Sequence, residues 1–436
     1  MVVPVALTGA TGFLGLRLLR QLLGAHRSVT VLAHAGSGEA LHRITRFFEL
    51  TGAPETLVAE LPDRIRVVET DLERPRLGLS APAFHELADG LGAIWHSAGS
   101  INLEGDLPQL RRTNVDGTRR VLELAAAGRR KPVVHHVSTA FVAGARRDGV
   151  AYEDELDDAS GFENAYERSK YEAEKLVHAW SREHGRPVVV LRPSILVTDL
   201  PPHPDLPSHP LQVIERILSD VRRTAGPQHE GSEHAGPEHE GSEHEPPQHA
   251  GPQHADPAAR HPHPHAPGPG PGPAPDRQRL RATVPRPRIR LVGQPDGRLN
   301  LTQVEHAAEV MVRLAGRAPS GGVDTYHVVH DRDVPVRTVV SLLEGLAGIS
   351  IDLVAGKPDA PSELEALLDF YPGMTAYLGH RRRFDDTRVR TLLGPSAVSA
   401  PVDLGYLWSG LGPEEPVPAP TPPPASPTAV PSDRYA

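Results

Sequence analysis

Tyr166 and Lys170 stand four residues apart in the stretch AYERSKYEAEKLVHAWSREHG, whose pattern reads as a helix. That spacing puts phenol and ammonium on one helix face. A neighbouring ammonium favours the phenolate, so the Tyr166 pKa is expected to fall from about 10 and the phenol to exchange a proton near neutral pH. Twenty-seven residues upstream of Tyr166, Ser138 and Thr139 end the run PVVHHVST and offer hydroxyls that could hold a substrate carbonyl. A Tyr–Lys pair alone carries little information. Its specificity comes from the strand-end Ser–Thr and a glycine-rich turn earlier in the chain.

That turn is Thr8-Gly9-Ala10-Thr11-Gly12-Phe13-Leu14-Gly15, between the apolar run PVALTG and the amphipathic stretch FLGLRLLRQLL. Gly9 permits a tight strand-to-helix turn, Gly12 lets backbone approach a pyrophosphate, and Gly15 allows the helix to pack closely on the sheet, with the helix N-terminus facing the phosphate charge. Dinucleotide binding follows. At the end of the second run, Val31-Leu32-Ala33-His34-Ala35-Gly36 holds no carboxylate for the ribose of NAD, while Arg43 and Arg46 come soon after. This favours NADP, with NAD the less favoured cofactor. Asp71 and Leu72, after the third run, are placed to contact adenine, and Asp71 could equally be a helix cap.

These residues need a scaffold that brings strand ends together. RIRVVETDL, AIWHSAG, PVVHHVSTAFV and PVVVLRPSILV continue the strand series, separated by helical stretches such as NVDGTRRVLELAAA. Such alternation implies an α/β fold, a doubly wound parallel sheet with ligands at the carboxyl ends of its strands. The expected organisation is a dinucleotide-binding domain over 1–198, a smaller C-terminal substrate lobe from 199–223 and 288–412 with returning sheet elements, a disordered insertion over 224–287 and a disordered tail over 413–436.

The two disordered stretches hold 24 of the 46 prolines, a density that excludes helix or sheet. The insertion carries a five-residue repeat with His229, His234, His239, His244, His249 and His254, read as a hydrated low-complexity segment in preference to a weak metal-binding tract. With 46 Lys+Arg against 55 Asp+Glu and no basic stripe, nucleic acid is not an expected partner. The absence of Cys excludes disulfides. No apolar run is long enough to span a membrane, and the N-terminus lacks a signal-peptide pattern, so a cytoplasmic protein is expected. His96, His135 and His136 lie in strands and read as hydrogen-bonded core residues; no H-E-x-x-H occurs, and no metal is expected.

TGATGFLG at 8–15, VETDL at 68–72, IWHSAGSINL at 94–103, NVDGT at 114–118, VSTAFVAG at 137–144, FENAYERSKYEAE at 162–174 and LRPSI at 191–195 together resemble the extended short-chain dehydrogenase/reductases. Within them the chain is most similar to the thioester reductase and fatty acyl-CoA reductase branch, the male-sterility-like group. LNLTQVEHAAEVMVRL at 299–314, DTYHVVH at 324–330 and FDDTRVRTLLG at 384–394 extend the similarity more thinly.

The resemblance implies a Rossmann fold, with Thr139, Tyr166 and Lys170 as the catalytic set beside Ser138, and hydride transfer to a carbonyl. If that carbonyl is a thioester, the products are an aldehyde and a free thiol. It also implies cofactor contacts from Thr8, Thr11, Phe13, Leu14, Ser97, Ala98, Gly99, Lys170 and Pro193, with His34 where a basic residue is expected and Asn114 supporting the site from below. The implied substrate is a small molecule or an acyl group on coenzyme A or on an acyl carrier protein acting in trans. Two alternatives share the fold: a sugar-nucleotide epimerase, dehydratase or hydroxysteroid-type dehydrogenase, and a non-catalytic dinucleotide-binding regulator, against which Tyr166 and Lys170 argue.

The insertion's composition cannot supply enough burial to offset the entropy of ordering it. Replacing residues 226–285 with a short flexible linker should therefore leave the thermal unfolding midpoint nearly unchanged. A large drop in a calorimetric scan would show that the stretch packs.

Overall fold

β-branched runs buried on both faces read as continuous apolar segments, and β1 (Val5–Thr8) is buried at all four positions. The computed structural model describes residues 4–34, 39–209, 211–214, 286–317, 319–368 and 371–411; the expected insertion, apart from Arg286 and Pro287, and the proline-rich tail lie outside them. After β1 come α1 (Phe13–Ala25), β2 (Val29–His34), α2 (Ala40–Leu50), α3 (Glu55–Arg64), β3 (Ile65–Thr70), α4 (Ala81–Gly90), β4 (Ala93–His96), α5 (Leu107–Arg111), α6 (Gly117–Ala127) and β5 (Val133–Val137). β6 (Val150–Ala151), α7 (Ala165–His184), β7 (Val188–Pro193) and β8 (Ile195–Val197) follow. The remaining strands are β9 (Arg288–Val292), β10 (Arg298–Leu299), β11 (Leu301–Gln303), β12 (Val323–Val328), β13 (Val334–Pro335), β14 (Ser350–Val354) and β15 (Arg383–Phe384).

Seven strands form one parallel sheet in the order β12-β7-β5-β4-β1-β2-β3. The chain winds outward from β1 to β3 and then crosses to β4 on the other side of β1. The switch point thus lies between β1 and β4, where ligand crevices form. One face of the sheet is covered by α1, α2 and the helix Val304–Ala315, and the other by α4, α6 and α7. The doubly wound sheet read from the sequence is the observed one. Among the described residues, no helix is long and apolar enough to cross a membrane.

Two elements differ from the expectation. LRPSILV is not one strand: β7 pairs with β5 and β12 through Pro193, whereas β8 pairs with β11. β5 and β12 end at Val137 and Val328, so the chain beyond Pro193 has no further main-sheet partner and turns into the lobe, where Ser194 Oγ meets Thr302 Oγ1 at 2.7 Å. The stretch NVDGTRRVLELAAA does not start as α-helix either. Arg112–Asp116 form a π-helical turn that precedes α6 and carries the buried Asn114. Such single π turns recur at functional sites because they re-aim one side chain.

The C-terminal lobe is assembled from small pairings, β8 with β11, β9 with β14 and β10 with β13, around the helix Val336–Ala347 and an aliphatic cluster that includes Val197, Leu211, Leu301 and Leu342. β12 returns from this region to the sheet edge, and β15 pairs with β6. α7 is set by its ends. Asn164 Oδ1 caps it by accepting from Glu167 N, and Gly185 closes it in the left-handed conformation at φ 58°.

Gly9 has φ +73°, and a Cβ there would lie 2.6 Å from Ala98 N; a Cβ on Gly15 would lie 1.8 Å from Gly9 O. The same atom on Gly12 would meet only Gly9 O, at 3.3 Å. Gly15→Ala should therefore lower the thermal midpoint sharply, because the clash is backbone on backbone and overpacking costs about 1–3 kcal/mol or more. Gly12→Ala should lower it much less. Equal midpoints for the two variants would contradict this packing.

Candidate active site

The carboxyl ends of β1, β4, β5 and β7 open onto one cavity of about 520 Å³. Gly9, Gly12, Phe13, Leu14 and Gly15 line its β1 side, with Ser97 and Gly99 from the loop after β4. The N-terminus of α1 has Gly12 as its cap and no side-chain acceptor on its first N–H groups. A glycine turn lining the cavity and leading to an uncapped helix N-terminus fits the diphosphate of a dinucleotide.

Thr8, Ala98 and Asn114 stand behind that wall in a hydrogen-bonded chain. Thr118 Oγ1 donates to Asn114 O (2.6 Å), so it accepts from His96 Nε2 (3.0 Å). His96 Nδ1 then accepts from Thr8 Oγ1 (2.9 Å), whose oxygen accepts from Ala98 N (3.2 Å). Burial, aided by the nearby Lys170 charge, lowers the His96 pKa to about 3, in keeping with the neutral ring this chain needs. Asn114 binds the Ser100 backbone through both its N–H and its C=O, at 2.8 and 3.0 Å, and donates to Ser169 Oγ at 2.8 Å, which fixes the loop after β4 against α7.

Tyr166, Thr139 and Lys170 line the same cavity, with Val137, Ser138 and Pro193. The Tyr166 and Thr139 hydroxyls are hydrogen-bonded. Thr139 Oγ1 also accepts from Phe141 N at 3.3 Å. Lys170 is buried and its Nζ donates to Val137 O at 2.9 Å. The Tyr166 pKa is raised, not lowered: desolvation pushes the phenol up to about 12 and the Glu167 carboxylate adds to this, against the Thr139 hydrogen bond. The i, i+4 spacing does align the pair, but one of the ammonium's three donors goes to a backbone carbonyl, and burial brings Lys170 down to about 8.

Ser138 also departs from expectation. Its hydroxyl donates to the buried Glu174 Oε2 at 2.5 Å, so it is not offered to a substrate. Arg192 Nη2 meets Glu174 Oε1 at 2.6 Å, with Nε at 3.1 Å. Burial would raise the Glu174 carboxyl, but Arg192, His178 and Ser138 together hold it far below the usual carboxylate range. Glu174 was legible as the next step of an i, i+4 ladder running Tyr166, Lys170, Glu174, His178. Arg192, from another strand, carried no such signal.

Other expected positions lie outside the cavity wall. Asp71 Oδ1 accepts from Glu73 N at 2.8 Å, a local turn contact, and Leu72 packs over Gly117. Thr11 is half-buried, His34 ends β2 and Arg43 is exposed on α2. Of the strand histidines, His135 stacks on Trp95 at 4.6 Å and is hydrogen-bonded to the Ala315 backbone. His136 is fully buried with neither ring nitrogen bonded, contrary to the satisfied core histidine expected. Burial lowers its pKa far below the usual imidazole range. Among the described residues, no group of three or more His, Asp or Glu side chains is arranged to hold a metal ion.

The distal part of the cavity is aliphatic, with Ile195, Leu211, Ile289, Leu299, Leu343 and Ile351 among its lining, and Tyr377 joins it from the C-terminal lobe. Most of this wall comes from beyond the first 200 residues, where the motifs end.

Residues 7–212 match the family model described as male sterility protein. The isonitrile lipopeptide synthase of Streptomyces coeruleorubidus is 36% identical over 196 residues, 43% of this chain but 13% of that protein. The crystal structure of the terminal R domain from the myxalamid PKS-NRPS biosynthetic pathway superposes with a TM-score of 0.64 at 23% identity, covering 94% of this chain and 89% of that one. The reductase (R) domain of a nonribosomal peptide synthetase from Mycobacterium tuberculosis gives a TM-score of 0.61 at 21% identity, covering 94% and 90%. The chain thus spans only a small part of the lipopeptide synthase while matching the isolated R domains nearly end to end. Residues 7–212, just under half of this chain, are thus similar to the male sterility protein family, in keeping with the resemblance of its motifs to the thioester reductase and fatty acyl-CoA reductase branch.

Proposed function

We propose that this chain is an NAD(P)H-dependent oxidoreductase that reduces an acyl thioester to an aldehyde. The observation that carries the reading is the meeting of Thr139, Tyr166 and Lys170 at the junction between the glycine cradle and an aliphatic cavity. A sugar nucleotide would need polar partners where this cavity offers Leu, Ile and Val, so the apolar wall favours an acyl chain over the epimerase alternative.

Gly9, Gly12, Gly15 and the first turn of α1 would hold the cofactor diphosphate, and Lys170 the nicotinamide ribose hydroxyls. Bound reduced nicotinamide supplies a hydride. Thr139 and Tyr166 hold the carbonyl oxygen, and Tyr166 gives its proton as negative charge develops there. A phenol held near 12 is fully protonated at neutral pH, the state a proton donor needs. Loss of the thiol from the resulting tetrahedral centre leaves the aldehyde. The acyl group arrives on coenzyme A or on a carrier protein in trans, in line with the peptide-synthetase R domains that the fold resembles.

NADP is the preferred cofactor in this reading. β2 ends at His34 with no carboxylate, and Arg43 lies exposed on α2, the next helix. The ratio of kcat/KM should favour NADPH over NADH, and Arg43→Ala should narrow it. A preference for NADH would remove the assignment.

Tyr166→Phe should reduce kcat by about 10²–10⁴ on any substrate the wild type reduces, leaving dinucleotide affinity intact, because only a hydroxyl is lost. Turnover followed at the nicotinamide absorbance, with acyl-CoA, carrier-bound, aldehyde and ketone substrates, tests this directly. Full kcat in the variant would assign the proton to another group and reject the mechanism.

A further inference from the structure

We propose that Tyr377 is a positioning residue that ties the acyl-binding wall of the C-terminal lobe to the first turn of α7, and so sets where the Tyr166 hydroxyl stands. The inference rests on the reductase reading above and extends it to a residue far outside the expected catalytic set.

Tyr377 touches both arms of that set. Its hydroxyl donates to Glu167 Oε1 at 3.0 Å, Glu167 N donates to Asn164 Oδ1 at 2.9 Å, and Asn164 Nδ2 donates to the Tyr377 oxygen at 3.0 Å. These three bonds close a ring around the N-cap of α7, and Glu167 is the residue after Tyr166. The Tyr377 ring packs edge-on against Phe141 at 4.8 Å, and Phe141 N is bonded to Thr139 Oγ1. Tyr377 and Leu378 also line the acyl cavity. One side chain therefore contacts the substrate wall, the segment carrying Thr139 and the turn carrying Tyr166.

The surrounding groups show why the link is polar. Glu167 is fully buried, so its carboxylate needs donors, and it receives Glu163 N at 2.9 Å beside the Tyr377 hydroxyl. Arg382, also buried, stands 4.0 Å away and stacks on Phe141. The charged and titratable groups facing Glu167 are Arg382 and Tyr377 from the lobe and Glu163, just ahead of the α7 N-cap. Those acting on Tyr166 are Glu167 and the Thr139 hydroxyl. His380 Nε2 makes a second link to the same turn, 2.8 Å from Glu163 Oε1.

Glu167 works to keep the phenol protonated, and reduction is lost as pH rises through the phenol pKa. At the alkaline pH where that happens Glu167 is ionised with or without the Tyr377 donor, so removing the Tyr377 hydroxyl leaves the charge facing the phenol in place and acts through the placement of the first turn of α7.

The test uses the full chain with NADPH and octanoyl-CoA, comparing wild type, Tyr377→Phe, Asn164→Asp and Tyr166→Phe. Tyr377→Phe should lower kcat by about tenfold to a hundredfold through misplacement of the donor, with the NADPH KM unchanged. A Tyr377→Phe enzyme with wild-type kcat, or one altered only in its octanoyl-CoA KM, overturns the inference while an inactive Tyr166→Phe leaves the reductase reading standing. Full activity in Tyr166→Phe would instead bring down that reading. If Tyr377→Phe does not fold, Asn164→Asp decides, because it keeps the cap on Glu167 N and loses only the amide that donates to Tyr377: a lowered kcat with unchanged NADPH KM supports the link, and a wild-type kcat overturns it.

Discussion

The buried pair of Arg192 and Glu174 is the contact on which the site's geometry depends. Both side chains are almost wholly out of solvent, one on β7 and the other on α7. Ions so placed are tolerated only when every polar atom finds a partner, and removing one member typically costs about 3–5 kcal/mol because its partner stays buried and charged. Here the partners come from several directions. Glu174 takes the Ser138 hydroxyl at the end of β5, and Arg192 donates to the carbonyls of Glu153 and Glu155 in the loop after β6. The pair thus fixes the segment bearing Thr139, the helix bearing Tyr166 and Lys170, and the loop that leads from one to the other.

The same loop carries the constraint to the C-terminal part of the chain. Glu153 accepts from His327 N on β12 and from Arg388 N, both at 3.0 Å. Burial raises its carboxyl to about 7 against these donors. The sheet edge, the β6 loop and the helix Thr387–Leu393 are therefore joined by buried polar contacts, which are specific in direction and intolerant of slippage. Apolar packing in the lobe makes no such demand, and it is there that the cavity widens.

This division suits the proposed chemistry. The polar corner needs hydroxyls and an ammonium held within tenths of an ångström, since proton donation depends on placement as much as on pKa. The aliphatic end needs volume and the exclusion of water. Excluding water also raises the phenol pKa, so the cavity that would receive an acyl chain keeps Tyr166 in its acidic form.

The alternating strands and helices, the glycine turn and the positions of Thr139, Tyr166 and Lys170 were all readable in the chain, because each depends on local periodicity or on spacing within one element. The i, i+4 spacing correctly aligned Tyr166 and Lys170, but it misread the electrostatics, because burial and the Val137 carbonyl belong to other elements. Ser138 looked like a second site hydroxyl until the fold placed Glu174 against it. Arg192, Tyr377 and the aliphatic wall were invisible, since their roles arise from contacts across 18 to 213 residues. Sequence by itself determined which groups are candidates for the chemistry. Tertiary structure decided their protonation, their partners and the shape of the space before them, because desolvation and long-range hydrogen bonds exist only once distant segments have met.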